Sequence, residues 1–595
     1  MVFVPRMPLS RELLGLGTSV ARAVPSDLLV ALASRVAPAD LVQKLILAGI
    51  FVGGGWGAAR LAPVATAAGG AAAASLFLWN AHVYERLLIG HWALLVSYAA
   101  LPWVVSAALG YRAGTRRVHG LVAALAVAAC GSPPGAAIAA GTALAVVAGR
   151  PWRRAAVVLA AALAVNAPWL LPSVLHPGGV PVRPAGAAAF AARPDGPLGT
   201  LGSLVGLGGI WNSLVVPPGH GSLAWWPAFA AVLVVAVAGW RSLLGRAGPR
   251  DGPRDDRPDD PPDDPPDDPP DDRPGEGPGE GPGEGPGEGP GGSGEGPRMD
   301  RRGAVGLLCA AGAGLAIAAA YAVPALRPAV DLAIARLPGG GMIRDSQKFV
   351  APLALVEAVG FGVGAELALA RLRAPRWRAL AAAALVAAPV LLLPGLALGA
   401  AGRLGTTGYP ADWAEARRIM AADPAPGAML VLPWHLYLGL PWNHDRVVLD
   451  PAQRYFTRRA VGNDDLELPT VTVPGEDPYG GRLGPLVRGG APLAPSLPAR
   501  GIRYVLVLKV AEWAGFQPRL AGAQRLLDGP DLALYQVQGA AAPQPLPGPP
   551  AAPVIAADLL AVAVLGWACA GVLPPVAPHR RRLVFSGRAQ EGSRR

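Results

Sequence analysis

Stretches of Ala, Leu, Val and Gly recur near 42–59, 62–79, 90–109, 119–149, 155–174, 223–240, 303–324, 349–370, 379–401 and 553–575. Most run for about 17–25 residues, enough for a helix to cross a hydrocarbon core of about 30 Å. The 119–149 run is different, because as one helix it would be about 45 Å long. Gly131-Ser132-Pro133-Pro134-Gly135 interrupts it midway, so two short helices forming a hairpin are predicted. The fold class that follows is mainly α, a polytopic transmembrane helix bundle of about eleven spans. The pattern changes between 402 and 552. Pro410–Ala422 carries helix formers, while Ala428–Pro433, Arg446–Leu449, Arg503–Lys509 and Leu532–Gln538 read as short strands. Strands mixed with helices predict a small α/β domain, tethered to the membrane at both ends.

Composition supports a membrane protein. Of 595 residues, 52% are hydrophobic and 16% charged, against about 25% charged in an ordinary soluble domain. A cytosolic enzyme, a secreted disulfide scaffold and a DNA-binding protein are excluded. Cys130, Cys309 and Cys569 fall in apolar runs, where thiols act as small hydrophobes. The first forty residues lack the basic and apolar regions of a signal peptide.

The net charge of +11 is an average over unlike parts. Residues 251–297 hold 16 acidic residues and 3 arginines, leaving 49 basic and 25 acidic residues elsewhere. Lys and Arg favour short cytoplasmic loops. That bias places Arg112, Arg116 and Arg117 inside, with Arg150, Arg153 and Arg154, the cluster Arg371, Arg373, Arg376 and Arg378, and Arg580, Arg581 and Arg582. The expected organisation is then 1–245, a transmembrane region with outer loops; 246–300, a cytoplasmic linker; and 301–401, a second transmembrane region. It continues with 402–552, an extracytoplasmic α/β domain; 553–575, a last helix; and 576–595, a basic cytoplasmic tail. Met1 then starts outside, so a first helix upstream of it is expected. The linker's Asp-Asp-Pro-Pro and Gly-Glu-Gly-Pro repeats stay extended and bury no core. An insertion without function is the favoured reading, and an acidic docking tail the alternative.

Two outer loops carry candidate chemistry. Trp79-Asn80-Ala81-His82-Val83-Tyr84-Glu85-Arg86, with His91-Trp92 beyond it, gathers ionisable groups at membrane depth, where they are costly and tend to be functional. An interfacial aromatic belt explains Trp79 and Tyr84, but Asn80, Glu85 and His91 less well. Met342-Ile343-Arg344-Asp345-Ser346-Gln347-Lys348 lies outside as well, where topology does not require cations. Arg344 suits bidentate phosphate binding and Lys348 adds a point charge, with Ser346 placed to cap the helix after it. A local Arg344–Asp345 pair with a snorkelling Lys348 is the plain alternative. Weaker candidates are Trp211, Asn212 and His220, and, in the α/β domain, Trp434, His435, Asn443, His444, Asp445 and Arg446. No second pair has metal-ligand spacing, and no phosphate-binding or dinucleotide motif is present. No metal or cofactor is expected, with a divalent cation left open.

At these loops the sequence resembles a group of actinobacterial and archaeal multi-span membrane proteins. The residues concerned are Asn80-Ala81-His82-Val83-Tyr84-Glu85-Arg86-Leu87, Gly90-His91-Trp92 and Arg344-Asp345-Ser346-Gln347-Lys348-Phe349. The group is similar to the C-type (GT-C) glycosyltransferase superfamily, over the membrane part and, loosely, the α/β domain. The resemblance implies an inverting glycosyltransferase in the plasma membrane. A sugar would pass from a polyprenyl-phosphate donor to a cell-envelope glycan or glycolipid at the outer face. In that superfamily a carboxylate of the first outer loop activates the acceptor hydroxyl. Residues 1–41 depart from this pattern: their acids are Glu12, Asp27 and Asp40, none in an evident motif.

On this reading Glu85 is the catalytic group, as general base or orienting it, and Arg86, Arg344 and Lys348 hold the donor phosphate. Asn80, His82, Tyr84, His91 and Asp345 support them. The partners are membrane lipids, a lipid-linked sugar donor and an envelope glycan acceptor, with no nucleic acid. The rival class is non-enzymatic, an envelope-assembly scaffold or a transporter component. Most spans lack Asp, Glu or Lys near their middles, which disfavours ion-coupled transport. Nothing in the sequence disfavours a scaffold.

Overall fold

The computed structural model describes residues 3–18, 20–115, 118–149, 151–177, 185–246, 299–337, 339–468, 471–475, 477–541 and 546–572. Most of the acidic linker, Arg116, Arg117, Arg150 and the basic tail with Arg580–Arg582 lie outside them.

Eight described helices are long and apolar enough to cross a membrane: Ala39–Leu61, Trp92–Ala113, Arg153–Val174, Trp225–Gly245, Arg301–Ala320, Ser346–Ala370, Pro375–Leu392 and Ala551–Val572. Three shorter apolar helices, Ala67–Leu78, Val118–Ala129 and Pro133–Val147, accompany them. The chain is a polytopic helical bundle carrying a small α/β domain. Trp92–Ala113 and Ser346–Ala370 are the most enclosed helices, and Pro375–Leu392 is the least.

The 119–149 run breaks where the proline pair predicts. Ser132 caps the second helix by accepting from the Gly135 N–H at 3.3 Å. Gly131 is required here, since a Cβ on it would lie 2.3 Å from Ser97 Oγ and 2.4 Å from the Ala93 carbonyl. Two other runs yield shorter helices than their apolar length suggests. The 62–79 run becomes helical at Ala67, where Thr66 is the N-cap. The Glu366 carboxylate closes that end, accepting from the Ala65 and Thr66 N–H groups and the Thr66 hydroxyl at 2.9–3.1 Å. The 379–401 run ends its helix at Leu392, ahead of Pro394, whose ring nitrogen has no hydrogen to continue the ladder.

Small residues let two helices meet backbone to backbone. A Cβ on Gly239 would fall 2.0 Å from the Gly360 carbonyl, and one on Gly364 2.0 Å from the Val235 carbonyl. Lipid offers no hydrophobic drive between helices, so close approach of this kind supplies the packing. Trp240 fastens the same seam by donating to the Val356 carbonyl at 2.7 Å.

Among its described residues the α/β domain has nine strands: β1 (Ala428–Leu432), β2 (Tyr437–Gly439), β3 (Val447–Leu449), β4 (Ala460–Val461), β5 (Leu466–Leu468), β6 (Val471–Val473), β7 (Ile502–Leu508), β8 (Gln524–Asp528) and β9 (Leu532–Gln536). Five form one sheet in the order β4-β1-β7-β9-β8. β1 runs parallel to β4 and β7, with Leu430 opposite Val461 and Val505, while β9 is antiparallel to both β7 and β8. β1 and β7 are apolar on both faces, as strands covered on both sides must be. Met429, Val431, Tyr504 and Leu506 pack on Trp413 and Met420 on one face. Leu430, Leu432, Val505 and Val507 meet Tyr479 and Leu483 on the other. The N-terminal segment joins the first of these cores through Val4, Met7, Leu13 and Ala31. Arg454 Nε also reaches Asp27 Oδ2 at 2.9 Å.

Candidate active site

The two candidate loops meet although some 260 residues separate them. Asn80 sets the first. It caps the Ala81–Leu88 helix, its Oδ1 accepting from the Val83 N–H at 3.0 Å. Its amide closes the preceding helix by donating to the Leu76 and Phe77 carbonyls at 3.0 and 2.8 Å. This short helix buries His82, Tyr84, Glu85 and Arg86 together. The second loop is a 3₁₀ turn, Ser346–Val350, leading into the Ala351–Ala370 helix. Ser346 does not cap that helix as expected; its hydroxyl donates to the Ala318 carbonyl at 3.0 Å and so ties the turn to a neighbouring span.

Arg86 is the hub. Its side chain is 0% exposed. Nη1 donates to Asp345 Oδ2 at 2.6 Å and Nη2 to Oδ1 at 3.0 Å, a bidentate fork. Nη2 also donates to Gln347 Oε1 at 2.5 Å, and Nη1 lies 3.1 Å from His91 Nδ1. Burial works against the Asp345 charge, but Arg86 and then Lys348 outweigh it and hold that carboxyl well below the usual carboxylate range. Lys348 Nζ stands 3.7 Å from Asp345 Oδ2.

Gln347 passes the network on to Glu85, donating to Oε2 at 3.0 Å and to the Leu207 and Gly208 carbonyls at 3.2 and 3.3 Å. Glu85 is fully buried, and its Oε1 has no partner among the described residues. Burial first, and then the charge of Asp195, raise its pKa well above the ordinary glutamate value. Asp195 stands on the 175–222 loop, where its Oδ2 accepts the Gly209 N–H. A side chain starting at Gly208 would meet both carboxylates, Asp195 Oδ2 at 2.3 Å and Glu85 Oε1 at 3.3 Å. Burial pushes Asp195 up to about 6.

The structure therefore brings Glu85, Arg86, His91, Asp345 and Lys348 into one cluster. Arg344 stands at its edge, half-buried, where a Cβ on Gly186 would lie 3.2 Å from its Cδ and 3.3 Å from Val473 of β6. This is the seam between the bundle and the α/β domain. Tyr84 also reaches that way, its hydroxyl accepting from Arg403 at 3.1 Å. His82 faces inward against Tyr98, beside a cavity of about 10 Å³ that it lines with Ser97 and Ala351; such a space holds about one water. Both of its ring nitrogens are buried without partners among the described residues. Burial pushes its pKa down to about 3, so it is neutral.

Two members escaped the sequence reading. Gln347 stood in its motif without a role, and Asp195 lay in a loop with no motif around it. The weaker candidates sit apart from the cluster's hydrogen bonds. Asn212 caps a 3₁₀ turn, His220 packs on Trp225, and His435 lies between Glu467 and Glu512 in the α/β domain. Among the described residues no group of three or more His, Cys, Asp or Glu side chains has a metal-binding arrangement.

No protein-family model and no curated sequence matches the chain. Two solved structures share its fold. The cryo-EM structure of the arabinofuranosyltransferase AftD from Mycobacteria aligns with a TM-score of 0.53 and 16% identity, over 90% of this chain and 38% of that one. A mutant form of AftD aligns at 0.51 and 16%, over 91% of this chain and 40% of that one. The chain thus spans about two fifths of its structural relative. At this identity the likeness concerns the fold.

Proposed function

We propose that the chain is a cell-envelope glycosyltransferase of the plasma membrane. It moves a sugar from a polyprenyl-phosphate donor to a glycan or glycolipid at the outer face. A pentofuranose is the first sugar to try, since the structural relative is an arabinofuranosyltransferase. The observation that carries this reading is the meeting of carboxylates and cations from three distant segments at the seam between bundle and domain.

The buried Arg86–Asp345–Gln347 network acts as the frame in this proposal. Arg86 has its guanidinium committed to Asp345 and Gln347, which leaves the donor phosphate to Lys348 and Arg344. Glu85, the carboxylate expected from the sequence to act as base, works through Asp195. Two close carboxylates disfavour double ionisation and share a proton. Asp195, half-buried with a value of about 6, is matched to accept an acceptor hydroxyl proton near neutral pH. Burial of the folded loop sets that value, and Glu85 stands across Gly208 from it.

General-base help is typically worth about 10²–10⁴ in rate. Asp195→Asn and Glu85→Gln should therefore each cut transfer by at least about a hundredfold in membranes supplied with lipid-linked pentofuranose. Full activity of both variants refutes the assignment. A second reading, a non-enzymatic assembly scaffold, is favoured by one observation: Glu85 and Arg86 are shut away from solvent. Absence of turnover with every lipid-linked sugar tried would select it.

A further inference from the structure

A groove of about 270 Å³ opens well away from the candidate active site, at the end of the bundle that carries Arg371, Arg373, Arg376 and Arg378. It lies between the Ala67–Leu78, Ala351–Ala370 and Pro375–Leu392 helices. Its floor is apolar, made by Ala68, Leu369, Ala379 and Ala382, and Thr66 and Arg378 stand at its rim. Three further observations bear on what fills it. First, Pro375–Leu392 is the least enclosed of the membrane-length helices, so the groove's outer wall faces acyl chains. Second, Trp377 is 56% exposed, with the Arg376 guanidinium 5.7 Å over its ring. An exposed tryptophan beside arginines marks the level where hydrocarbon gives way to headgroups. Third, the Arg378 side chain is exposed and makes no hydrogen bond or ion pair with the described residues. Glu366 of the neighbouring helix is already engaged in closing the Ala67–Leu78 helix.

We propose that this groove seats one anionic diacyl phospholipid, with its phosphate on Arg378 and an acyl chain along Leu369, Ala379 and Ala382. Basic pockets between helices at the cytoplasmic face recognise such headgroups, and the charge bias puts this end there. A free phosphate ion would use the cation but leave the apolar floor bare. A zwitterionic lipid would fill the floor but bring no net charge to Arg378. The site is independent of the proposed transfer reaction.

Native mass spectrometry of the full chain in detergent tests it, with dioleoyl phosphatidylglycerol, dioleoyl phosphatidylcholine and inorganic phosphate as probes. A basic residue near a membrane surface contributes about 1 kcal/mol to anionic-lipid binding, so phosphatidylglycerol should bind about fivefold tighter than phosphatidylcholine. Arg378→Gln should erase that preference and leave phosphatidylcholine binding unchanged. Ala382→Trp, which fills the groove and keeps the charge, should weaken both lipids. Arg153→Gln, on a different loop, should leave the preference intact and so separates a local site from general surface charge. Equal binding of the two lipids overturns the proposal. So does a preference that survives Arg378→Gln or is lost in Arg153→Gln, or displacement of the lipid by millimolar phosphate. Thermal unfolding of each variant alongside the parent keeps a misfolded protein from being read as a lost site.

Discussion

Asp345→Asn is the sharpest test of the buried frame, because it keeps the shape and removes the charge. In the native protein both Asp345 oxygens accept from Arg86, at 2.6 and 3.0 Å, in a place where the Arg86 side chain is 0% exposed. Arg86 Nε already lacks a partner among the described residues. An asparagine retains one acceptor and turns an N–H₂ toward a guanidinium N–H, donor against donor. Lys348, 3.7 Å away, loses its counter-charge in the same step. Removing one partner of a buried ion pair costs about 3–5 kcal/mol, and the second cation puts this case at the upper end. Replacing both partners, as in Arg86→Met with Asp345→Leu, should cost far less than the two single changes summed, since an apolar pair needs no neutralisation. The non-additivity should exceed about 2 kcal/mol. Equilibrium unfolding in mixed micelles of rising dodecyl sulfate fraction, followed by tryptophan fluorescence, measures the parent, Asp345→Asn, the two single changes and the double variant. An Asp345→Asn protein within about 1 kcal/mol of the parent, or a double variant equal to the sum of the singles, refutes the reasoning.

Two further outcomes are expected. Gly364→Leu should prevent stable packing of the bundle, because its Cβ would fall 2.0 Å from the Val235 carbonyl, which is backbone and cannot step aside. Gly312→Leu, at a position with nothing within 4 Å, should be tolerated, and size-exclusion profiles of the two in detergent compare them directly. In the α/β domain Asp423 accepts from Arg503 Nε at 2.5 Å and from the Tyr504 hydroxyl, and Arg503 chiefly holds its carboxyl well below the usual range. A depressed folded value means that its stabilisation is complete above the unfolded value of about 3.9 and is lost as pH falls toward the folded one. Thermal unfolding from pH 6 to pH 3 should therefore fall more steeply for the parent than for Asp423→Asn. Parallel curves would rule out this carboxylate as a source of acid sensitivity.

What the sequence revealed and what it hid divide along the range of the interactions. The hairpin at Gly131–Gly135 and the β1 and β7 strands are written in neighbouring residues, so period and turn chemistry expose them. Burial of Arg86 is not local. It depends on Asp345, which the sequence read most simply as paired with adjacent Arg344, whereas the fold turns it to a guanidinium 259 positions away. Gln347 looked like filler between two charged residues because its value lies in facing two ways at once, accepting from Arg86 and donating to Glu85. Asp195 carried no signal, since its raised pKa comes from burial that only the folded loop provides. The N-terminal segment was equally opaque, its Val4, Met7 and Leu13 too widely spaced to announce a partner in the α/β core. The same distinction separates the two kinds of charge in the cluster. Arg86 and Asp345 satisfy one another, so they hold the loops together, whereas Asp195 and Glu85 crowd two carboxyl groups across Gly208. A fold selected for stability alone gains nothing from that second arrangement, because an apolar pair there would cost less. Its presence beside a satisfied frame is what directs the search for chemistry to the carboxylates.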